Sequence, residues 1–199
     1  MAGSSDIVPR GWHQRGYLPH FDGRLVTQSI TYRLADSLPS KVIARYQDEV
    51  RDEPDDRRQR ALRERIETFL DAGHGACLLR DERAAGIVED AWRHFAGERY
   101  VLHSWVVMPN HVHVLCSPLP GQSMPDIIRG WKAFTARRIN ALSGRTGQLW
   151  LEDYWDRYIR DGDHFRRVVD YIHANPVKAG LVKEATAWRW SSAARNGDG

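Results

Sequence analysis

Apolar and polar positions alternate in a few short stretches and recur at helical spacing in several longer ones. Arg24 to Leu34 (RLVTQSITYRL) carries β-branched residues at 26, 27, 30 and 31 and predicts a strand. Ser37 and Pro39 then suit a helix cap and a first helical residue, so 39–50 reads as a helix. Residues 51–66 (RDEPDDRRQRALRERI) form a charge block, read as a solvated helix face or a connector, with a short apolar face at Ile66, Phe69 and Leu70. Glu82 to Phe95 places Ile87, Val88, Ala91, Trp92 and Phe95 on one helical face. Tyr100–Met108 and His111–Ser117 read as two strands joined at Pro109-Asn110, an antiparallel hairpin. Asp126 to Leu142 predicts a helix with Ile127, Ile128, Trp131, Phe134, Ile139 and Leu142 inward, ended by Gly144 and Gly147. A strand over 154–160 follows, then a helix from Asp163 to Ala174, with Asp161 or Asp163 near its start and Asn175-Pro176 after it.

The order βαββαβ points to an α+β fold of ferredoxin-like type, an antiparallel sheet with helices on one face plus a C-terminal helix. Residues 1–23, rich in Gly, Pro, His and aromatics without periodicity, read as an N-terminal arm. Residues 24–199 read as a single domain, with 51–75 a charged helical insertion. No stretch of 18 apolar residues exists, so no membrane span is expected. The first residues lack the apolar core of a secretory signal. Two separated cysteines, Cys77 and Cys116, are too few for a disulfide scaffold and fit a reduced, cytoplasmic protein.

Charge matters by its placement. The net value is +3, but residues 1–122 hold 16 basic and 17 acidic side chains while 123–199 hold 13 and 9. In that last segment Arg129, Lys132, Arg137, Arg138, Arg157, Arg160 and Arg167 are interleaved with Trp131, Trp150, Tyr154, Trp155 and Tyr158. Positive charge beside aromatic faces suits single-stranded nucleic acid, although core Trp and solvated Arg give the same texture.

His111-Val112-His113 is the sharpest local signal. On a strand both imidazoles project to one face, where they could share a metal ion or simply pack. Tyr171 and Asn175, four residues apart, share a helix face. A phenol beside a Lewis acid can act as a nucleophile, and an amide oxygen can join the ligands; packing and capping explain the pair equally well.

Taken together, WVVMPNHVHVL, then GQLW, YWDRYIRDGDHFRRVVDYIHANPVKAGLV and a terminal W-x-W-S-S closely resemble the REP-associated tyrosine transposases, relatives of the IS200-like transposases with the HUH motif. The resemblance covers roughly residues 11–193, including GYLPHFD and QSITYRLADSLP near the start. It implies an enzyme, an endonuclease and strand transferase for single-stranded or hairpin (REP-like) DNA. His111 and His113 match the paired metal ligands, Tyr171 the nucleophile that forms a 5′-phosphotyrosine, and Asn175 a third ligand where relatives often have Gln. The implied ion is Mg²⁺ or Mn²⁺, and the implied partner is hairpin DNA bound by a monomer or a homodimer. Arg129, Lys132, Arg137, Arg138, Trp150, Arg157, Arg160 and Arg167 are the expected DNA contacts. Water, the metal, His173 or Lys178 are the candidates for the base.

Two other readings compete. A histidine-triad nucleotide hydrolase needs a third His where this chain has Leu115. A domesticated protein that holds hairpins without cutting them keeps the same residues. The longer 51–75 segment and Trp155, where relatives often have Phe or Tyr, depart from the family pattern without touching the matched positions.

Overall fold

The computed structural model describes residues 11–15, 18–22 and 25–195. Two short strands, β1 (Gly11–Arg15) and β2 (Leu18–Asp22), pair as an antiparallel ribbon. The arm expected over 1–23 is therefore a β-ribbon where it is described, and residues 1–10, 16, 17 and 23 lie outside the described residues. The main sheet contains β3 (Gln28–Arg33), β4 (Tyr100–Val107), β5 (His111–Pro118) and β6 (Trp155–Tyr158) in the order β4-β5-β3-β6. Every pairing is antiparallel. The β4–β5 hairpin forms as expected, with an irregularity between Leu102 and Ser104.

Both faces of the sheet are covered, which explains why all six residues of β3 are buried and no alternation survives. One face presents Ile30, Tyr32, Val112, Val114 and Cys116 to α3 (Glu82–His94) and α4 (Met124–Leu142). This is the larger core, and its polar aromatic atoms are paired. Trp92 donates its indole N–H to Tyr32 at 2.9 Å, Trp131 donates to Tyr100 at 2.9 Å, and the Tyr100 hydroxyl donates to the Trp92 carbonyl. Phe134, expected inward, is 43% exposed.

The opposite face presents Val106 and Leu115 to Ile172 of α5 (Gly162–Lys178), with Phe165, Val168 and Val169 packed around them. Helices thus lie on both faces rather than one. Asp161 caps α5 by accepting the His164 N–H at 2.7 Å. The helix runs past the expected end at Ala174. Pro176 sits in its last turn, where one missing donor is all the proline removes, and Gly180 at φ +67° closes it.

The charged segment is a helix with a solvated outer face, as expected, and a packed inner one. Helices α1 (Ser40–Glu49) and α2 (Asp55–Asp71) enclose a second core of Leu38, Val50, Leu62, Ile66 and Leu70, with Trp155 of β6 against it. Pro39 occupies the cap position of α1, and Ser37 instead donates its hydroxyl to the Leu34 carbonyl. The loop after α2 returns over the start of β5. Gly75 (φ +85°) permits this: a Cβ there would lie 2.8 Å from the Asp36 carbonyl oxygen.

Candidate active site

The site is built on β5. His111, His113 and Leu115 share the α5 face, and both imidazoles are 1% exposed. The rings meet edge to face with centroids 4.9 Å apart.

Each imidazole is oriented by a hydrogen bond at Nδ1. The buried Asn110 donates its amide nitrogen to the Leu70 carbonyl (3.1 Å) and the His74 carbonyl (2.9 Å). Its oxygen must then face His111, and it lies 2.7 Å from Nδ1. An amide oxygen only accepts, so His111 carries its proton on Nδ1 and leaves Nε2 as a bare lone pair. His113 Nδ1 lies 2.8 Å from the Thr31 hydroxyl, and its buried Nε2 has no hydrogen-bond partner. Burial, the neighbouring His113 and Arg33 hold His111 well below its ordinary pKa. Burial, Arg63 and Lys178 push His113 down to about 3. Both rings are neutral at pH 7, the form that binds metal ions.

Tyr171 projects from α5 onto this pair. Its ring meets His113 edge-on at 5.5 Å, and Lys178 Nζ lies 4.5 Å from the ring centroid. Burial and the Glu67 carboxylate raise the pKa of its hydroxyl, opposed by Arg63. Asn175 is buried, and its amide donates to the Tyr171 carbonyl at 2.7 Å. The amide oxygen is the Asn175 atom left for a cation.

The unexpected contributor is α2. Arg63 and Glu67 form an ion pair of 2.7 Å with both side chains largely shielded, and both interact with the Tyr171 hydroxyl. One turn on, Asp71 Oδ1 lies 3.7 Å from His111 Nε2. Burial and the Glu67 charge raise the Asp71 carboxyl to about 6. The 51–75 segment, expected to leave the matched positions untouched, therefore borders both Tyr171 and His111. The signal was present in the sequence: Arg63, Glu67 and Asp71 follow the buried stripe Leu62, Ile66 and Leu70 by one position each. Among the described residues no three His, Cys, Asp or Glu side chains are drawn around one point as a complete metal site.

The expected DNA contacts separate into two groups. Arg157 on β6 and Arg160 and Arg167 near and on α5 are exposed; partial burial lowers the Arg157 pKa first, and the charges of Arg63, Arg160, Arg60 and Arg167 lower it further. This cluster borders the tyrosine face. Arg129, Lys132, Arg137 and Arg138 belong to α4, across the sheet. Arg129 pairs with Asp126, and Lys132 donates to the Leu151 and Glu152 carbonyls. Trp150, expected as a stacking surface, is 4% exposed in the larger core, its indole N–H donated to Thr135 at 2.8 Å. Of the base candidates, His173 is engaged away from Tyr171, by Ser104 and Ser192.

Comparison with known proteins gives the same direction. Residues 81–175 match the family described as "Transposase IS200 like". The chain is 30% identical over 93 residues to the REP-associated tyrosine transposase of Escherichia coli (strain K12), a match covering 47% of this chain and 54% of that protein. It is 28% identical over 96 residues to a putative REP-associated tyrosine transposase of Haemophilus influenzae, covering 43% and 54%. The matched region thus spans about half the length of both curated relatives. A solved REP-associated tyrosine transposase bound to a REP hairpin shares the fold, with a TM-score of 0.53 at 21% identity over 92% of this chain and 83% of that one. Among the described residues no helix is long and apolar enough to cross a membrane. The segment that carries His111, His113, Tyr171 and Asn175 is thus similar to the IS200-like transposases, and the chain is similar over about half its length to the REP-associated tyrosine transposases.

Proposed function

We propose that this protein is a metal-dependent single-stranded DNA endonuclease and strand transferase acting on hairpin DNA in the cytoplasm, with residues 24–199 as one catalytic domain. The observation that carries the reading is Tyr171 seated against His113, beside two neutral imidazoles whose Nδ1 atoms are engaged. Shielded Nε2 donors suit a divalent cation, Mg²⁺ or Mn²⁺, with Asn175 as the expected third ligand. Such an ion, when bound, polarises the scissile phosphate.

The remaining steps fall to the chain. Tyr171 attacks phosphorus, its oxygen forming a new P–O bond as the bond to the 3′ oxygen breaks. The protein keeps the 5′ phosphate as phosphotyrosine, and the 3′ oxygen leaves and takes a proton. The phenolic proton needs an acceptor, and the Glu67 carboxylate is in reach. Arg63, on the same hydroxyl, favours the phenolate. Attack by a 3′ hydroxyl on the phosphotyrosine reverses the sequence, so rejoining needs no nucleotide hydrolysis. The Arg157, Arg160 and Arg167 cluster would track the backbone of a single strand toward Tyr171.

The test is incubation with a hairpin oligonucleotide bearing a single-stranded flank, with Mn²⁺ or Mg²⁺. A covalent protein–DNA adduct that disappears in Tyr171→Phe is expected. Tight hairpin binding without an adduct under either metal would instead identify a binding protein that has lost cleavage. One observation favours that second reading: Tyr171 is only partly exposed, with the Arg63–Glu67 ion pair acting on its hydroxyl.

A further inference from the structure

Resting on the tyrosine-nucleophile reading above, we infer that the motif Trp188-Arg189-Trp190-Ser191-Ser192 is a positioning element, latching α5 through His173 and so holding Tyr171 against His113. The argument begins at the sheet edge. β4 is an outer strand, and an outer strand leaves backbone groups without partners. The motif covers them. Val107 donates its N–H to the Trp190 carbonyl at 2.8 Å, Val106 bridges to Ser191, and the Trp188 indole donates to the Val107 carbonyl at 3.0 Å. Trp188 packs with the α5 core and Trp190 with the larger core, so the two rings grip the edge from both faces. Beyond the motif, Arg195 pairs with the buried Glu89 of α3 at 2.7 Å. The strap is thereby fixed to the sheet and to α3, independently of α5.

Ser192 joins this fixed edge to the tyrosine helix. Its buried hydroxyl oxygen accepts the Trp105 N–H at 3.0 Å and lies 2.9 Å from His173 Nε2. The buried Ser104 hydroxyl, on β4, lies 3.0 Å from Ser192 Oγ and 3.1 Å from the same histidine nitrogen. Two hydroxyls and one imidazole nitrogen thus close a triangle between β4, the strap and α5.

Helix phase shows what the triangle controls. Ile172 is fully buried and packs with Val106 and Leu115 of the sheet. At about 100° per residue, Tyr171 and His173 stand on its two flanks. Tyr171 reaches β5 and the α2 pair, while His173 reaches β4 and the strap. The apolar contacts of Phe165, Val168, Val169 and Ile172 are non-directional and do not by themselves fix the roll of α5. Hydrogen bonds fix distance and angle. A roll that takes Tyr171 off His113 must break the contact between His173 and Ser192.

The experiment compares Ser192→Ala, His173→Leu and His173→Gln in the full chain, with circular dichroism checking each fold. Gln keeps a polar group in reach of Ser192, and Leu does not. Hairpin affinity is read by fluorescence anisotropy, and covalent adduct formation is timed at saturating hairpin with Mn²⁺. Ser192→Ala and His173→Leu should slow adduct formation by about 10–100-fold with the hairpin Kd within about twofold of wild type, because a misplaced nucleophile loses rate and not binding. His173→Gln should recover most of that rate. A wild-type rate in either Ser192→Ala or His173→Leu would overturn the inference. So would a joint loss of binding and rate that His173→Gln does not repair, the mark of a merely structural contact. If wild type forms no adduct, the nuclease reading falls by itself, and the latch is tested by ¹⁹F NMR of 3-fluorotyrosine placed at position 171. A wild-type resonance that shifts or splits in Ser192→Ala upholds the latch, and an unchanged resonance overturns it.

Discussion

Asn110 is the side chain on which the histidine geometry turns, and Asn110→Ala tests it. The substitution deletes the hydrogen bonds to His111 Nδ1 (2.7 Å), the His74 carbonyl (2.9 Å) and the Leu70 carbonyl (3.1 Å). These losses are unequal. The Leu70 carbonyl still accepts the Gly73 N–H at 2.9 Å, so it loses one partner of two. His111 is 1% exposed, and its Nδ1–H would be left buried without an acceptor. Taking about 1–3 kcal/mol for the orphaned donor and about 0.5–1 for each of the other two bonds gives about 2–5 kcal/mol. For a chain of this size that is a fall in melting temperature of about 4–20 °C, measured by thermal unfolding monitored by circular dichroism. The ring would also lose the contact that fixes its tautomer, and Mn²⁺ affinity should drop by about 10–100-fold. A double-mutant cycle separates this from general loosening. In a His111→Ala background the orphaned donor no longer exists, so Asn110→Ala should cost about 1–2 kcal/mol less there. Equal cost in both backgrounds, or a melting temperature within 2 °C of wild type, would refute the claim that Asn110 works through His111.

Three further outcomes follow from other parts of the molecule. Gly75→Ala forces a side chain onto a residue at φ +85° and 2.8 Å from the Asp36 carbonyl, so it should destabilise by more than about 1 kcal/mol in urea unfolding; a neutral effect would mean the loop after α2 is free to shift. Half-buried His103, beside the Ser117 hydroxyl and the edge of Phe165, has its pKa lowered by burial. Folding therefore favours its neutral form: its contribution is present above the unfolded pKa of about 6.5 and lost as pH falls. The urea midpoint should fall between pH 7.5 and 5, and His103→Gln should flatten part of that slope. Replacing Arg157, Arg160 and Arg167 with Ala should reduce the salt slope of single-strand binding by about 2, at about 0.7 per phosphate contact, whereas Arg137→Ala with Arg138→Ala, across the sheet on α4, should change it less; the reverse ranking would move the DNA path to the α4 face.

How far the sequence could be read depended on which physical rule governed each segment. Strand alternation is a local rule. It placed His111 and His113 on one face of β5 and Val112 on the other without any knowledge of partners, and the larger core and the candidate site do lie on opposite sides of that strand. The i, i+4 rule likewise joined Tyr171 to Asn175, which meet through a hydrogen bond between the Asn175 amide and the Tyr171 carbonyl. Trp150 failed because composition is not location: an indole among arginines suits a stacking surface, but a buried hydroxyl at Thr135 gives its N–H a partner and makes the core the better place.

The α2 segment was legible only in part, for a different reason. Its charge density suggests solvent, and most of its charges are in fact exposed, Arg60 and Glu64 among them. Arg63, Glu67 and Asp71 differ only by phase. A helix turns 100° per residue, so side chains one position after the buried stripe Leu62, Ile66 and Leu70 stand at the boundary between core and solvent, where a neighbouring element can cover them. Which element covers them is a long-range fact. It depends on the loop through Gly75 folding back, on Asn110 receiving the end of α2, and on α5 bringing Tyr171 across the sheet. A charge that borders a packed stripe is therefore better regarded as a candidate for a buried site than as a solvated face. The 63–67–71 spacing shows why: once the apolar stripe is seated, the same helix must deliver those three side chains to whatever packs beside it.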